Sequence, residues 1–249
     1  MLSFSEQGDG PALVLIHAYP LDHCMWEIQA DFFSSRFRVV TPDVFGFGGS
    51  QPPQPWTMAD MGKALLALLD QLKIKKCTLV GLSMGGYIAL PFTISHPDRV
   101  ERLVLAHTRA RADLEPETVA RNGMIASLKK DGTVTLPDKM LPRLLAVNAA
   151  AEVQKAVRAS IQRASQDACI HAVTAMRDRV DQTGNLGRLH CPTLVITGAA
   201  DAIIRVEDSE KMAAAIPNGQ LCVIEGTGHL SNLENPTAFN QAVDAFLNS

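Results

Sequence analysis

The sequence predicts an α/β fold with a mostly parallel central sheet of about seven strands, flanked by helices, and with a helical cap inserted between two of the strands. Short apolar runs rich in β-branched residues alternate with segments whose apolar residues recur at helical spacing. One long segment, residues 108–188, contains helical patterns alone. We therefore expect residues 1–107 and 189–249 to form the core and residues 108–188 to form the cap.

Six runs predict strands that are buried on both faces, because each run is apolar almost throughout. They are ALVLIH (12–17), RVVTPD (38–43), CTLVGL (77–82), RLVLAH (102–107), PTLVITG (192–198) and QLCVIEG (220–226). Since helical segments separate these runs, successive strands should lie parallel through βαβ crossovers.

Helices are predicted where the apolar residues fall on one side of a 3.6-residue period. In the core these segments are TMADMGKALLALLDQL (57–72) and ENPTAFNQAVDAFL (234–247), the second with Pro236 in its first turn. The predicted cap carries four more: PETVARNGMIASLKK, DKMLPRLLA, AAEVQKAVRASIQRAS and QDACIHAVTAMRDRV.

Composition limits the classes of function. The 249 residues are 47% hydrophobic and 20% charged with a net charge of −3, which is typical of a globular protein and gives no sign of a nucleic-acid partner. No apolar run approaches the roughly 18 residues of a membrane span, and the start MLSF does not resemble a signal peptide. We expect a cytoplasmic protein without a membrane partner. The five cysteines are scattered, which argues against a disulfide framework or a zinc site.

The predicted cap is basic. Residues 107–190 hold 13 Lys and Arg against 9 Asp and Glu, so this segment carries +4 and the remainder −7. A solvated helical surface is one interpretation of this charge. A lid that favours an acidic substrate or an acidic carrier protein is the other.

Ser83 is the first candidate catalytic residue, because it lies where a predicted buried strand meets a helix, inside GLSMG (81–85). A nucleophile at the tip of a sharp strand-to-helix turn needs small neighbours, which Gly81 and Gly85 supply. The start of the helix places the Met84 N–H and the positive end of the helix dipole where an oxyanion would form. An ordinary glycine-rich turn is the competing interpretation.

A serine hydroxyl needs a base to take its proton, and the base needs a carboxylate to orient it. His229 is the best placed of the seven histidines, in a glycine-flanked loop after the last predicted strand. Asp201, in the loop after the preceding strand, is the matching acid, and Asp113 is the alternative. The chain order Ser83, Asp201, His229 favours catalytic roles over turn or helix-cap roles.

Five ordered motifs resemble the α/β-hydrolase fold superfamily, and in particular its small bacterial esterases and enol-lactonases, over essentially the whole chain. They are HAYPLDHCMW (17–26), PDVFGFGGS (42–50), GLSMGG (81–86), GAADAIIR (198–205) and GTGHLSNLENP (226–236). The resemblance implies that the backbone N–H of Tyr19 is the second donor of an oxyanion hole, beside that of Met84.

Two residues depart from the family pattern. Ala18 stands where the family has glycine, which leaves the oxyanion loop less conformational freedom. Arg205 stands where the family usually has proline, four residues after Asp201, and would alter the acid loop or bring a cation near the site.

The residues predicted to contact the substrate lie near the strand ends and on cap helices, where packing in a core is the competing explanation for the helical ones. They are His17, Ala18, His107, Met124, Leu128, Met140 and Leu144.

With serine as nucleophile, the expected chemistry is hydrolysis of a small-molecule carboxylic ester through an acyl-enzyme. The alternatives are hydrolysis of an enol-lactone and removal of a methyl ester from an acyl group on a carrier protein. A ligand-binding receptor on the same fold is the non-enzyme alternative. No HExxH motif, cysteine cluster or phosphate-binding glycine loop is present, so we expect no metal or organic cofactor. The sequence leaves the oligomeric state open.

Overall fold

The protein is described by a computed structural model over residues 2–51 and 54–249. Within these ranges one sheet contains β1 Phe4–Gln7, β2 Ala12–Ile16, β3 Arg38–Pro42, β4 Cys77–Leu82, β5 Val100–Ala106, β6 Thr193–Gly198 and β7 Gly219–Ile224. The strand order is β1-β3-β2-β4-β5-β6-β7, and only the β1–β3 pair of this sheet is antiparallel. The predicted fold class is therefore confirmed.

The edge strand β1 is not predicted by the sequence. Its four residues, FSEQ, are mostly polar and only partly buried. The ladder to β3 holds it in place, and the Glu6 carboxylate also accepts a 2.5 Å hydrogen bond from Arg38 Nε. A short edge strand needs no continuous apolar run, because one of its sides meets solvent.

The helices of the structure include all the predicted ones. Besides short 3-10 turns, the described residues form α1 Glu27–Phe33, α2 Met58–Gln71, α3 Met84–Ser95, α4 Glu115–Asp131, α5 Leu136–Leu144, α6 Ala151–Arg163, α7 Gln166–Arg177, α8 Val206–Ala215, α9 Ser231–Glu234 and α10 Pro236–Leu247. The predicted start at 57 is the N-cap of α2, where Thr57 forms a capping box with Asp60. The predicted start at 234 lies one residue before the N-cap of α10, Asn235, whose side chain accepts from Ala238 N.

The helix after β4 is the centre of the core. From Met84 to Leu90 every residue of α3 is buried, and the helix packs against β2, β4 and β5. A helix that is apolar all round needs cover on every side. The sheet and α2 supply part of that cover, so the N-terminus of α3 lies deep inside the fold at the carboxyl edge of the strands.

The segment between β5 and β6 is helical, as the sequence predicts. It contains α4, α5, α6 and α7, with α4 packed on α7 and α5 packed on α6. Its separation from the core as a cap stays a prediction. Among the described residues, no helix is both long and apolar enough to cross a membrane. The cytoplasmic location also stays a prediction.

Candidate active site

Ser83 lies between the last residue of β4 and the first residue of α3, in a backbone conformation that few residues adopt. Its φ is 55° and its ψ is −110°. Two hydrogen bonds hold the turn: Ser83 N donates to Ala106 O at 2.9 Å, and Thr108 Oγ1 donates to Ser83 O at 2.9 Å. Strain of this kind persists only where the surroundings enforce it, and it is concentrated at functional sites.

The glycines beside Ser83 are required by close backbone approaches. A Cβ on Gly81 would lie 2.4 Å from Gly85 O, and a Cβ on Gly85 would lie 2.2 Å from Ile16 O. These contacts are far below van der Waals distance and the partners are backbone atoms. Without side chains at these two positions, the start of α3 can approach both its own strand and the end of β2 closely.

Asp201 lies in the loop after β6, and both oxygens of its carboxylate accept hydrogen bonds. Oδ1 accepts from the backbone N–H groups of Ile203 (2.8 Å) and Ile204 (3.0 Å). Oδ2 is 2.8 Å from His229 Nδ1. Burial acts to raise the pKa of Asp201, but the neighbouring His229 and hydrogen bonds from the histidines outweigh it, so the pKa lies well below its usual range. The carboxylate is ionised at neutral pH.

His229 is buried, and its two ring nitrogens have different surroundings. Because Nδ1 faces the Asp201 carboxylate, that nitrogen carries the proton and Nε2 carries the lone pair. Nε2 has no hydrogen-bond partner among the described residues, and His229 shares the lining of a cavity with Ser83. A base with a free lone pair in the same cavity as a strained serine can accept the serine proton. Such catalytic hydrogen bonds often tighten only when substrate binds.

His107, at the end of β5, contacts the same carboxylate oxygen. Its Nδ1 is 2.9 Å from Asp201 Oδ2, and its Nε2 is 2.6 Å from Ser231 Oγ. The residue is fully buried with φ 48°, and burial lowers the pKa of its imidazole, which is therefore neutral. His107 thus donates to Asp201 and accepts from the Ser231 hydroxyl. The sequence predicts that His107 contacts the substrate, but in the structure His107 does not line the cavity.

The ligand atoms of His107, Asp201 and His229 lie within 4.8 Å of one another, which is close enough for a metal ion. Both Nδ1 atoms, however, face Asp201 Oδ2 at hydrogen-bond distance and must carry protons. A protonated nitrogen has no lone pair for a metal, so the geometry of these residues is that of a hydrogen-bond network.

Glu234, at the end of α9, holds the loop that carries His229. Its carboxylate accepts hydrogen bonds from Gly228 N (3.0 Å) and Leu230 N (3.3 Å), the two neighbours of His229, and from Ala146 N (2.8 Å). The backbone N–H of His229 donates to Leu144 O at 3.0 Å. This role of Glu234 is not predicted from the sequence. The acid lies five residues after His229 in the matched motif GTGHLSNLENP, and that spacing was the one available signal.

The two predicted oxyanion donors, the backbone N–H groups of Met84 and Tyr19, stay a prediction. Within the described part of the chain, neither Met84 N nor Tyr19 N donates a hydrogen bond to a protein group outside the helices and strands. Ala18 has no positive φ, so alanine fits the position where the resemblance expects glycine. The ring of His17 connects the loop of Ala18 and Tyr19 to the loop after β3. Its Nε2 accepts from Val44 N at 2.8 Å and its Nδ1 donates to Ala18 O at 3.0 Å.

The cavity that contains Ser83 and His229 has a volume of about 300 Å³. Among the residues predicted to contact the substrate, the cavity lining includes Met124, Met140 and Leu144, together with Tyr19. The remaining predicted residues are not in this lining. Leu128 lines a second cavity between α4 and α5, and His17, Ala18 and His107 are fully buried.

The other residues singled out by sequence form no hydrogen bond with His229. Arg205 is mostly exposed at the start of α8 and pairs with Asp208 at 3.5 Å, and it does not line the cavity. Asp113, the alternative acid, binds Arg121 and Arg179 and makes no contact with His229. Of the two acids considered, Asp201 alone is bonded to His229 in the structure.

Known proteins with the same architecture resemble this chain over almost its whole length. A thermophilic esterase from Thermogutta terrifontis, whose structure has malate bound, is 37% identical with a TM-score of 0.95, covering 99% of this chain and 93% of its own. The 3-oxoadipate enol-lactonase 1 of Acinetobacter baylyi is 30% identical over 247 residues, 97% of this chain and 90% of its own. The pimeloyl-[acyl-carrier protein] methyl ester esterase of Aliivibrio salmonicida is 27% identical over 254 residues, covering 99% and 95%.

The family model of the alpha/beta hydrolase fold matches residues 11–236, which include the Ser83 turn, the Asp201 loop and the His229 loop. The match agrees with the parallel sheet and with the resemblance carried by the five sequence motifs. The chain therefore belongs to the α/β-hydrolase fold family, together with the ester and lactone hydrolases that it resembles.

Proposed function

We propose that the protein is a serine hydrolase that cleaves carboxylic esters, with Ser83 as nucleophile, His229 as general base and acid, and Asp201 as the carboxylate that orients His229. One observation carries the proposal. The Asp201–His229 hydrogen bond of 2.8 Å fixes the tautomer of His229 and leaves the lone pair on the unpartnered Nε2, and His229 lines the same cavity as Ser83.

The proposed reaction has two stages. His229 Nε2 takes the proton of Ser83 Oγ as that oxygen attacks the ester carbonyl carbon, and the N–H groups of Met84 and Tyr19 stabilise the resulting oxyanion. The tetrahedral intermediate collapses, the C–O bond to the alcohol breaks, and His229 gives its proton to the departing alcohol. A water molecule then attacks the acyl-enzyme with His229 again as base, which releases the acid and restores Ser83.

The relatives support ester cleavage and leave a related alternative. Their names include an esterase, an enol-lactonase and an acyl-carrier-protein methyl ester esterase, all of which hydrolyse a C–O bond of an acyl group. A lactone differs from an ester only in that its leaving oxygen stays tethered to the acyl part. Lactone hydrolysis is therefore the second candidate function, and methyl ester removal from a carrier-bound acyl group is the third.

The test compares the wild-type protein with Ser83→Ala on short p-nitrophenyl esters. We expect kcat/KM to fall by about 10⁴-fold or more in the variant, because the covalent step is lost. Ser95→Ala is the matched control, since Ser95 is exposed at the end of the same helix, and it should keep the wild-type rate.

A second measurement separates an enzyme from a ligand-binding receptor. A fluorophosphonate probe should label the folded wild-type protein at Ser83, and peptide mass spectrometry should locate the label. A protein that stays unlabelled and hydrolyses none of the esters, yet still binds them, would be a receptor on this fold.

A further inference from the structure

We propose that the ester substrate carries a carboxylate, and that the guanidinium groups of Arg121 and Arg143 bind this carboxylate inside the cavity. The inference rests on the proposed ester hydrolysis and adds the substrate class. Its source is the distribution of charge around the cavity that contains Ser83 and His229.

The cavity wall contains more cationic than anionic side chains. Three arginines line it, together with two carboxylates: Arg109, Arg121, Arg143, Asp113 and Glu117. Both carboxylates are already bound by arginines from two sides, so neither presents a free negative charge to a ligand. The cavity wall therefore carries one more positive than negative side-chain charge.

Glu117 is held by Arg109 and Arg111. Arg109 Nη1 donates to its Oε1, while Arg111 donates to Oε2 at 2.5 Å and to Oε1 at 2.7 Å. Arg109 is also committed on its other side, because its Nη2 donates to Ile203 O in the acid loop. This group of residues connects the start of α4 to the loop that carries Asp201, so we assign it a structural role.

Asp113 is held by Arg121 and Arg179, and here one arginine keeps donors free. Arg179 is buried and donates to Asp113 Oδ1 at 2.6 Å. Arg121, on α4, donates to Asp113 only through Nε. Its Nη1 meets the Met176 thioether sulfur at 3.6 Å, which is a weak acceptor, and its Nη2 donates to no described residue. The Nε of Arg121 is thus bonded to Asp113, while its two Nη groups keep donors that a ligand can use.

Arg143 has no protein partner among the described residues. It is exposed on α5, directly before Leu144, whose carbonyl oxygen accepts the hydrogen bond from His229 N. Arg143 is therefore next in sequence to the residue whose backbone carbonyl holds His229, the proposed base. A planar guanidinium binds a carboxylate through two parallel hydrogen bonds, which makes such a pair stronger than a neutral hydrogen bond.

The cavity also limits the size of the substrate. About 300 Å³ is at the small end of ligand pockets, and apolar side chains, among them Met124, Met140 and Leu144, line other parts of the wall. A monoester of a short dicarboxylic acid combines an apolar chain, an ester and a terminal carboxylate. We therefore commit to that class.

The test uses two esters that differ only in the terminal group: monoethyl glutarate, which ends in a carboxylate, and ethyl pentanoate, which ends in a methyl group. We expect kcat/KM to be at least about tenfold higher for the anionic ester, and the ratio to fall about tenfold in Arg143→Gln and in Arg121→Gln. Arg158→Gln is the matched control, because Arg158 lies on α6 and pairs with Asp138 outside the cavity. It should keep the wild-type ratio. High salt should lower the ratio in the wild-type protein.

Two outcomes would overturn the inference and leave ester hydrolysis standing: equal kcat/KM for the two esters, or an unchanged ratio in both cavity arginine variants. Calorimetry on Ser83→Ala measures binding without turnover. Monoethyl glutarate should bind this variant more tightly than ethyl pentanoate, and adding Arg143→Gln should remove the difference. Anion-selective binding without any turnover in the wild-type protein would contradict the proposed function and support the anion site.

Discussion

At the scale of single residues, the most informative atom is Oδ2 of Asp201. It lies at hydrogen-bond distance from both His107 Nδ1 and His229 Nδ1, while Oδ1 accepts two backbone N–H groups. Four donors fix the plane of the carboxylate and keep it ionised despite burial. The two imidazoles then face different surroundings. His229 lines the cavity, whereas His107 bonds to Ser231.

Replacing His107 by phenylalanine removes one imidazole donor from Asp201 and leaves the Ser231 hydroxyl without its acceptor. We expect kcat to fall about tenfold with a smaller change in KM, because Asp201 then orients His229 less firmly. Steady-state kinetics on a p-nitrophenyl ester measures both constants. His107→Asn can keep a donor near the position of Nδ1 and should retain more activity. Equal losses in the two variants would show that the hydrogen bond to Asp201 is unimportant.

At the scale of elements, the start of α4 is connected to the core by ion pairs instead of a large apolar interface. Glu117 bonds to Arg109 and Arg111, and of the residues on α4 only Leu128 is fully buried. The hydrogen bond from Arg111 is the largest cause that lowers the pKa of Glu117, from its ordinary 4.5 to about 2, against the opposing effect of burial. The folded pKa is below the unfolded pKa, so this contribution to stability is present above about pH 4.5 and is lost as the pH falls toward 2.

For Glu117→Gln we accordingly expect a lower free energy of unfolding at pH 7, by about 1 kcal/mol, since a third of the side chain is exposed and solvent screens the pair. The difference from wild type should shrink below pH 4.5 and vanish near pH 2. Urea unfolding at several pH values measures it. Glu115→Gln, on the same helix but without an ion pair among the described residues, is the control. A difference that stays constant with pH would contradict the ion-pair explanation.

At the scale of the whole molecule, a buried polar network connects the two ends of the chain. Gln29 on α1 donates to Asn232 O (3.1 Å) and to Asn240 Oδ1 (2.9 Å), and Asn232 Nδ2 donates to Met25 O at 3.0 Å. Gln29 is fully buried, and Asn232 lies three residues after His229. The network therefore fixes the loop that carries His229 to a segment about 200 residues earlier in the chain.

Gln29→Ala should lower the free energy of unfolding by about 2 kcal/mol, because it leaves the Asn240 oxygen buried without its donor. Chemical denaturation followed by circular dichroism measures the change. Gln71→Ala serves as the control, since Gln71 is exposed at the end of α2 and should change stability by less than about 0.5 kcal/mol. Comparable losses in the two variants would contradict a special role for the buried network.

Sequence patterns predicted the strands and helices that have a regular apolar pattern and missed those that have none. The buried strands and the amphipathic helices, such as α2, stand out because burial imposes an apolar period on the sequence. The polar edge strand β1 and the seven-residue α1 have no such signal. The glycines at fixed offsets in GLSMGG predict the Ser83 turn. No local pattern shows that His107 supports the site, and for Glu234 the five-residue spacing from His229 is the one signal.

The sequence by itself determined the fold class, the candidate nucleophile and the order of the three candidate catalytic residues, since each of these depends on local spacing along the chain. Only the tertiary structure decided which side chains meet. It brought His107 and His229, 122 positions apart in the sequence, to one carboxylate oxygen. It also left free donors on Arg121 and Arg143, whereas Arg109 and Arg111 are bound to Glu117. The physical reason is that hydrogen bonds and charge pairs depend on distances of about 3 Å between atoms of remote segments, and such distances leave no periodic trace in the sequence.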